Sequence, residues 1–99
     1  MVRQWSAPWG AENNLGGIPL ADADLTGADL KSVYLGYTDL HGCGLSGCDL
    51  SDASLTGADL SGADLRSAVL ISAKTDRAVM TNARLDGAHR APEVPLRTP

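Results

Sequence analysis

Residues 55–68 read LTGADLSGADLRSA, and residues 21–30 read ADADLTGADL. In both stretches the same five-residue phrase returns: a small residue, an aspartate, a leucine, then two residues rich in Thr, Ser and Gly. Followed outward, the register holds from Leu15 through Leu85, with Thr75 and Met80 standing in the leucine place near the end. Of the fourteen leucines, Leu96 alone lies off it. Two residues before each leucine the chain reads Ala23, Ala28, Val33, Thr38, Cys43 and Cys48, then alanine at every fifth residue from 53 to 88. Directly before it come Asp24, Asp29, Asp39, Asp49, Asp59 and Asp64; two residues after it glycine recurs at 17, 27, 42, 47, 57, 62 and 87.

A period of five suits neither common element. On an α-helix five residues rotate the chain by about 500°, so successive leucines fall about 140° apart and make no stripe. On a flat strand five is odd, and successive leucines would point to opposite faces. The pattern works if the chain turns a corner once per repeat. The small residue and the leucine, two apart, then share the inner side and the aspartate between them points out. The next two residues form the corner. A type II turn requires φ > 0 at its second central residue, which is where glycine recurs. Four right-angled corners close a square, so residues twenty apart stack: Leu20, Leu40, Leu60 and Met80, and likewise Asp29 over Asp49 and Asp39 over Asp59.

These runs resemble the pentapeptide-repeat family, whose motif is A(D/N)LXX, over fifteen consecutive repeats from residue 13 to about 89. The resemblance implies an all-β fold, a right-handed quadrilateral β-helix of just under four coils. At about 4.8 Å between hydrogen-bonded strands, such a solenoid is about 18 Å long. The expected organisation is an N-terminal cap segment at 1–12, the β-helix at 13–89 and a Pro-rich irregular tail at 90–99.

Composition narrows the function. Net charge is −4, which argues against direct binding to nucleic acid or an anionic membrane surface. No run approaches the roughly 18 apolar residues of a transmembrane helix, and the first residues lack a secretory pattern. Two cysteines without an export signal point to free thiols in the cytoplasm. Cys43 and Cys48 fall on the inward small-residue position and read as core. A C-x₄-C pair without an inward histidine is a poor zinc signal, and no Ser or Thr has a histidine base in register. The expectation is therefore no catalytic residue, no cofactor and no metal, in a scaffold or protein-interaction module.

The candidate partner surface comprises Asp24, Asp29, Asp39, Asp49, Asp59 and Asp64 with Tyr34 and Tyr37. The aspartates either hold nearby backbone N–H groups or present an acidic face that imitates DNA. The second alternative follows from the resemblance, because some pentapeptide-repeat proteins bind DNA gyrase, a type II topoisomerase, in this way and lessen quinolone action. The acidic columns are interrupted by Tyr34, Gly44, Ser54 and Val69. Tyr34 and Tyr37 flank Leu35 and should point outward near Gly57 and Ser54, either covering glycine or forming a contact hot spot. Trp5 and Trp9 precede the first repeat and serve as a lid over the first coil or as a docking patch. Charge is uneven: residues 1–70 carry net −6 and residues 71–99 net +2. The last coil is folded over by the tail, shared in a homodimer, or docked on a partner; the sequence does not choose among these.

Overall fold

The structure, a computed structural model, describes residues 16–90. Each pentapeptide contributes one residue to a parallel β-bridge with the residue twenty positions on, and a two-residue turn then leads to the next side. Four bridges complete a coil, so the chain is a square tube of just under four coils. The first face stacks Pro19, Asp39, Asp59 and Val79; the second Asp24, Gly44, Asp64 and Arg84; the third Asp29, Asp49, Val69 and His89; the fourth Tyr34, Ser54 and Lys74.

Residues 38–42 show how the backbone is satisfied. Leu40 N–H donates to Asp59 C=O at 2.8 Å, Gly42 N–H to Ser61 C=O at 2.9 Å, and Asp59 N–H returns to Thr38 C=O at 3.0 Å. Cys43 N–H closes the corner onto Leu40 C=O at 3.1 Å. Four of the five N–H groups in each repeat of this kind thus reach a backbone acceptor. The fifth, on the residue just after leucine, needs another partner.

The second corner residue has positive φ at every repeat from Gly17 to Gly87, between 55° and 76°. Glycine fills seven of these places and Asp22, Ser32, Tyr37, Asp52, Ser67, Ser72, Arg77 and Asn82 fill the others. Tyr37 is the bulkiest ring forced into this left-handed region, which costs an ordinary L-residue about 1–2 kcal/mol. The type II corner expected from the glycine spacing is therefore present throughout, and it is imposed on eight non-glycine residues, of which Asp22, Asp52 and Asn82 tolerate it best.

Inside, leucines 25 to 70 and the small residues between them are sealed from solvent. Burying each leucine contributes about 1.5–3 kcal/mol. Thr38 is buried among them, with its hydroxyl accepting from Gly17 N–H at 3.1 Å and donating to Gly36 C=O at 3.4 Å. Burial declines in the last coil, where Met80 and Leu85 are half-buried and Thr75 is exposed. No helix among the described residues is long and apolar enough to cross a membrane. Trp5, Trp9, the segment 1–12 and the tail beyond Arg90 lie outside the described residues.

Candidate functional site

With the interior closed, chemistry and recognition fall to the outer side chains, whose positions the coil dictates. Asp29 and Asp49 stack on the third face and Asp39 and Asp59 on the first, as the twenty-residue offset requires. Asp24 and Asp64 share the second face but are separated by Gly44.

Each aspartate supplies the acceptor that the fifth N–H lacks. Asp24 Oδ1 accepts from Thr26 N–H, Asp29 from Lys31, Asp39 from His41, Asp49 from Ser51, Asp59 from Ser61 and Asp64 from Arg66, all at 3.0–3.2 Å. The same oxygen takes a second bond from several of the following side chains: the Thr26 hydroxyl at 2.6 Å, the Ser51 hydroxyl at 2.6 Å, Arg66 Nε at 2.8 Å. Of the two sequence readings for these aspartates, the backbone role is the one the geometry displays.

The hydrogen bonds set the carboxylate acidity. The Ser51 hydroxyl holds Asp49, and the Ser61 hydroxyl holds Asp59, below the usual carboxylate range. Arg66 makes a forked pair with Asp64, its terminal nitrogen 2.7 Å from Oδ2, and lowers that pKa to about 2. His41 lowers Asp39, with its Nδ1 at 2.8 Å from Oδ1, and is itself raised by that same bond. Such bonds favour the charged carboxylate and the charged imidazole alike.

Tyr34 and Tyr37 both point outward, 41% and 61% exposed. Tyr37 lies over Gly57 on the next coil, where an added Cβ would overlap its ring. Tyr34 departs from expectation: its ring covers Gly16 and Gly36 instead of reaching up to Ser54, its bridge neighbour. The cause is the bare backbone at those two corner positions, which leaves a recess of ring size. The two tyrosines therefore rest on glycines, held as a rigid aromatic edge at the corner between the fourth and first faces.

The two cysteines are free and buried, each thiol donating to a carbonyl one coil below: Cys43 Sγ to Leu20 at 3.0 Å and Cys48 Sγ to Leu25 at 2.9 Å. Burial pushes both thiols up to about 11, so they stay protonated and unreactive at neutral pH. Sequence reasoning placed them in the core but missed another grouping. Asp39, His41 and Asp59 bring one ligand atom each to within 4.8 Å of one another. The signal was available: a histidine two residues after one aspartate, with a second aspartate twenty residues on.

A profile of pentapeptide repeats matches the chain in eight copies, over residues 14–47, 34–70 and 63–89. No curated protein matches its sequence. Among solved structures, a pentapeptide repeat protein from the thylakoid lumen of Arabidopsis thaliana is 35% identical with a TM-score of 0.61, over 85% of this chain and 61% of that one. A pentapeptide repeat protein from Nostoc Pcc 7120 is 34% identical with a TM-score of 0.51, over 87% and 80%. The plasmid-mediated fluoroquinolone resistance protein QnrB1, at 19% identity and a TM-score of 0.58, covers 86% of this chain by 52% of its own and shares the fold alone. The chain thus spans under two thirds of the Arabidopsis protein's length. Repeat spacing, corner dihedrals, twenty-residue stacking and these matches agree: the chain belongs to the pentapeptide-repeat family and is a right-handed quadrilateral β-helix.

Proposed function

We propose that the chain is a non-enzymatic interaction module that docks a protein partner against the edge formed by Tyr34 and Tyr37. The observation that carries this reading is the pair of exposed rings seated on Gly16, Gly36 and Gly57, with Tyr37 in a strained backbone conformation. Rings already fixed in place lose little freedom on binding, and tyrosine is enriched among residues that dominate interface energetics. Asp39 and Asp59 flank the edge, and residues 1–70 carry net −6. A partner with an apolar centre ringed by basic side chains fits that surface. A cytoplasmic location, expected from the two cysteines, is part of this proposal.

A gyrase-directed, DNA-imitating role has less support. No face stacks more than two aspartates in succession, about 5 Å of axis, whereas duplex DNA carries one charge per about 1.7 Å over a long rod. Affinity capture with the wild-type chain and with the Tyr34→Ser/Tyr37→Ser variant, checked for an unchanged circular dichroism spectrum, tests the proposal. A partner retained by the first and lost by the second is expected. Identical captured sets would rule out docking at this edge. A gyrase supercoiling assay with and without a quinolone should show no effect; inhibition or quinolone protection would replace this reading with the DNA-imitating one.

A further inference from the structure

The two stacked aspartate pairs differ in how their charge is balanced. On the third face Lys31 reaches the upper member of the pair, with Nζ 3.9 Å from Asp49 Oδ2. The lysine ammonium gives Asp49 a counter-charge that persists at neutral pH. On the first face the equivalent corner residue is His41, and among the described residues it is the one cationic group acting on Asp39 and Asp59. Asp22 adds further negative charge beside the imidazole. Stacked like charges on neighbouring strands destabilise a sheet, and a cation placed between them relieves that repulsion.

The geometry around His41 is that of a chelate. Its Nδ1 and Asp39 Oδ1 are 2.8 Å apart, near the roughly 3 Å that separates two donors at right angles on an ion about 2.1 Å from each. For an ion to enter, the shared proton leaves and the exposed imidazole turns so that Nδ1 and the carboxylate both face it. Asp59 Oδ1 is engaged by the Ser61 N–H and hydroxyl, so its other oxygen is the third donor, from the coil above. One donor atom from each of the three residues lies within 4.8 Å of the others, a gap that small rotations of the exposed Asp39 and His41 side chains toward the half-buried Asp59 narrow. One imidazole and two carboxylates suit Zn²⁺, Ni²⁺, Co²⁺ or Cu²⁺; Ca²⁺ and Mg²⁺ favour all-oxygen shells.

We propose that Asp39, His41 and Asp59 form a divalent transition-metal site, two ligands from one coil and one from the next, with water completing the shell. The site is independent of the tyrosine edge. Because the third ligand comes from the adjacent coil, a bound ion clips two coils together, and binding raises thermal stability with the logarithm of free ion concentration once that exceeds the Kd.

Zinc chloride and nickel chloride titrated calorimetrically into the full chain at pH 7.5, in a non-chelating buffer, provide the test. One ion per chain with micromolar affinity is expected, together with a zinc-dependent rise in Tm. His41→Ala and Asp59→Asn should each weaken binding at least about tenfold. Asp49→Asn, on the lysine-balanced pair, should leave it unchanged, and lowering the pH to 6 should weaken wild-type binding. Lysine in place of the imidazole (His41→Lys) should keep the fold and abolish binding. Equal affinity in wild type and His41→Ala, or millimolar binding alone, would overturn the assignment.

Discussion

Replacing Gly57 by alanine tests both the corner geometry and the seating of Tyr37. Gly47 and Gly57 occupy the same place in their repeats and have the same φ of 70°. An added Cβ on Gly47 meets nothing within 4 Å, whereas on Gly57 it overlaps the Tyr37 ring. Gly47→Ala therefore reports backbone strain alone. The left-handed conformation costs about 1–2 kcal/mol, less about 0.5 kcal/mol from the stiffer unfolded chain, for a net loss of about 1 kcal/mol. Gly57→Ala adds displacement of the ring. Tyr37 is 61% exposed, so about two fifths of its surface is covered. On the order of 200 Å² for a tyrosine at about 25 cal/mol per Å² makes that coverage worth at most about 2 kcal/mol. Losing the half that lies over Gly57 brings the total for Gly57→Ala to about 2 kcal/mol. Urea unfolding with an unchanged m-value measures both losses. Serine already occupies this corner place at Ser32, Ser67 and Ser72, so Tyr37→Ser is a suitable background; in it Gly57→Ala should cost no more than Gly47→Ala. The reasoning fails if the two alanine variants of the wild type differ by less than about 0.3 kcal/mol, the usual additivity error.

Three further outcomes are expected. Ser72→Gly and Arg77→Gly relieve left-handed backbone at exposed corners and should each stabilise the chain by about 0.5–1 kcal/mol in the same urea assay. Asp64 has a folded pKa of about 2 against an ordinary 3.8; a depressed carboxylate contributes stability above its unfolded value and loses it as pH falls through the folded one. Acid titration of Tm should therefore drop between these two values, and Asp64→Asn should flatten that part of the curve. Cys43 and Cys48, with thiols pushed up to about 11, should react with a disulfide reagent at pH 8 only after denaturant is added; fast labelling of the native chain would contradict their burial.

The fold was legible because one spacing carried both its requirements. Leucine at every fifth place gave the inner surface, and glycine two places later gave the left-handed corner, so the twenty-residue stacking followed arithmetically. Non-glycine corners such as Arg77 and Tyr37 were legible only by register, since nothing in their own preferences announces positive φ. Of the surface, the stacking of Asp39 on Asp59 was readable, but its meaning depended on which neighbour each oxygen binds. That in turn depends on whether serine, lysine or histidine follows the leucine. Tyr34 escaped the reading because its resting place is a pair of absent side chains, Gly16 and Gly36, one of them on the coil below. A void in the surface leaves little trace in a linear pattern. His41 escaped the reading because histidines were sought beside the thiols, which face the other way.

Since every bridge joins residues twenty positions apart, the tube tolerates changes of length only in certain quanta. Insertion of twenty residues lengthens the rod and leaves all downstream side chains on their original faces. Insertion or loss of five preserves the leucine filling and the corners, yet rotates everything beyond it by a quarter turn. Removing one repeat between Ser46 and Asp59, for instance, would bring Asp64 and its attached Arg66 above Asp39 and His41. A lineage of such chains can thus reshuffle which exterior groups become vertical neighbours by whole-repeat slippage, without a single substitution in the interior.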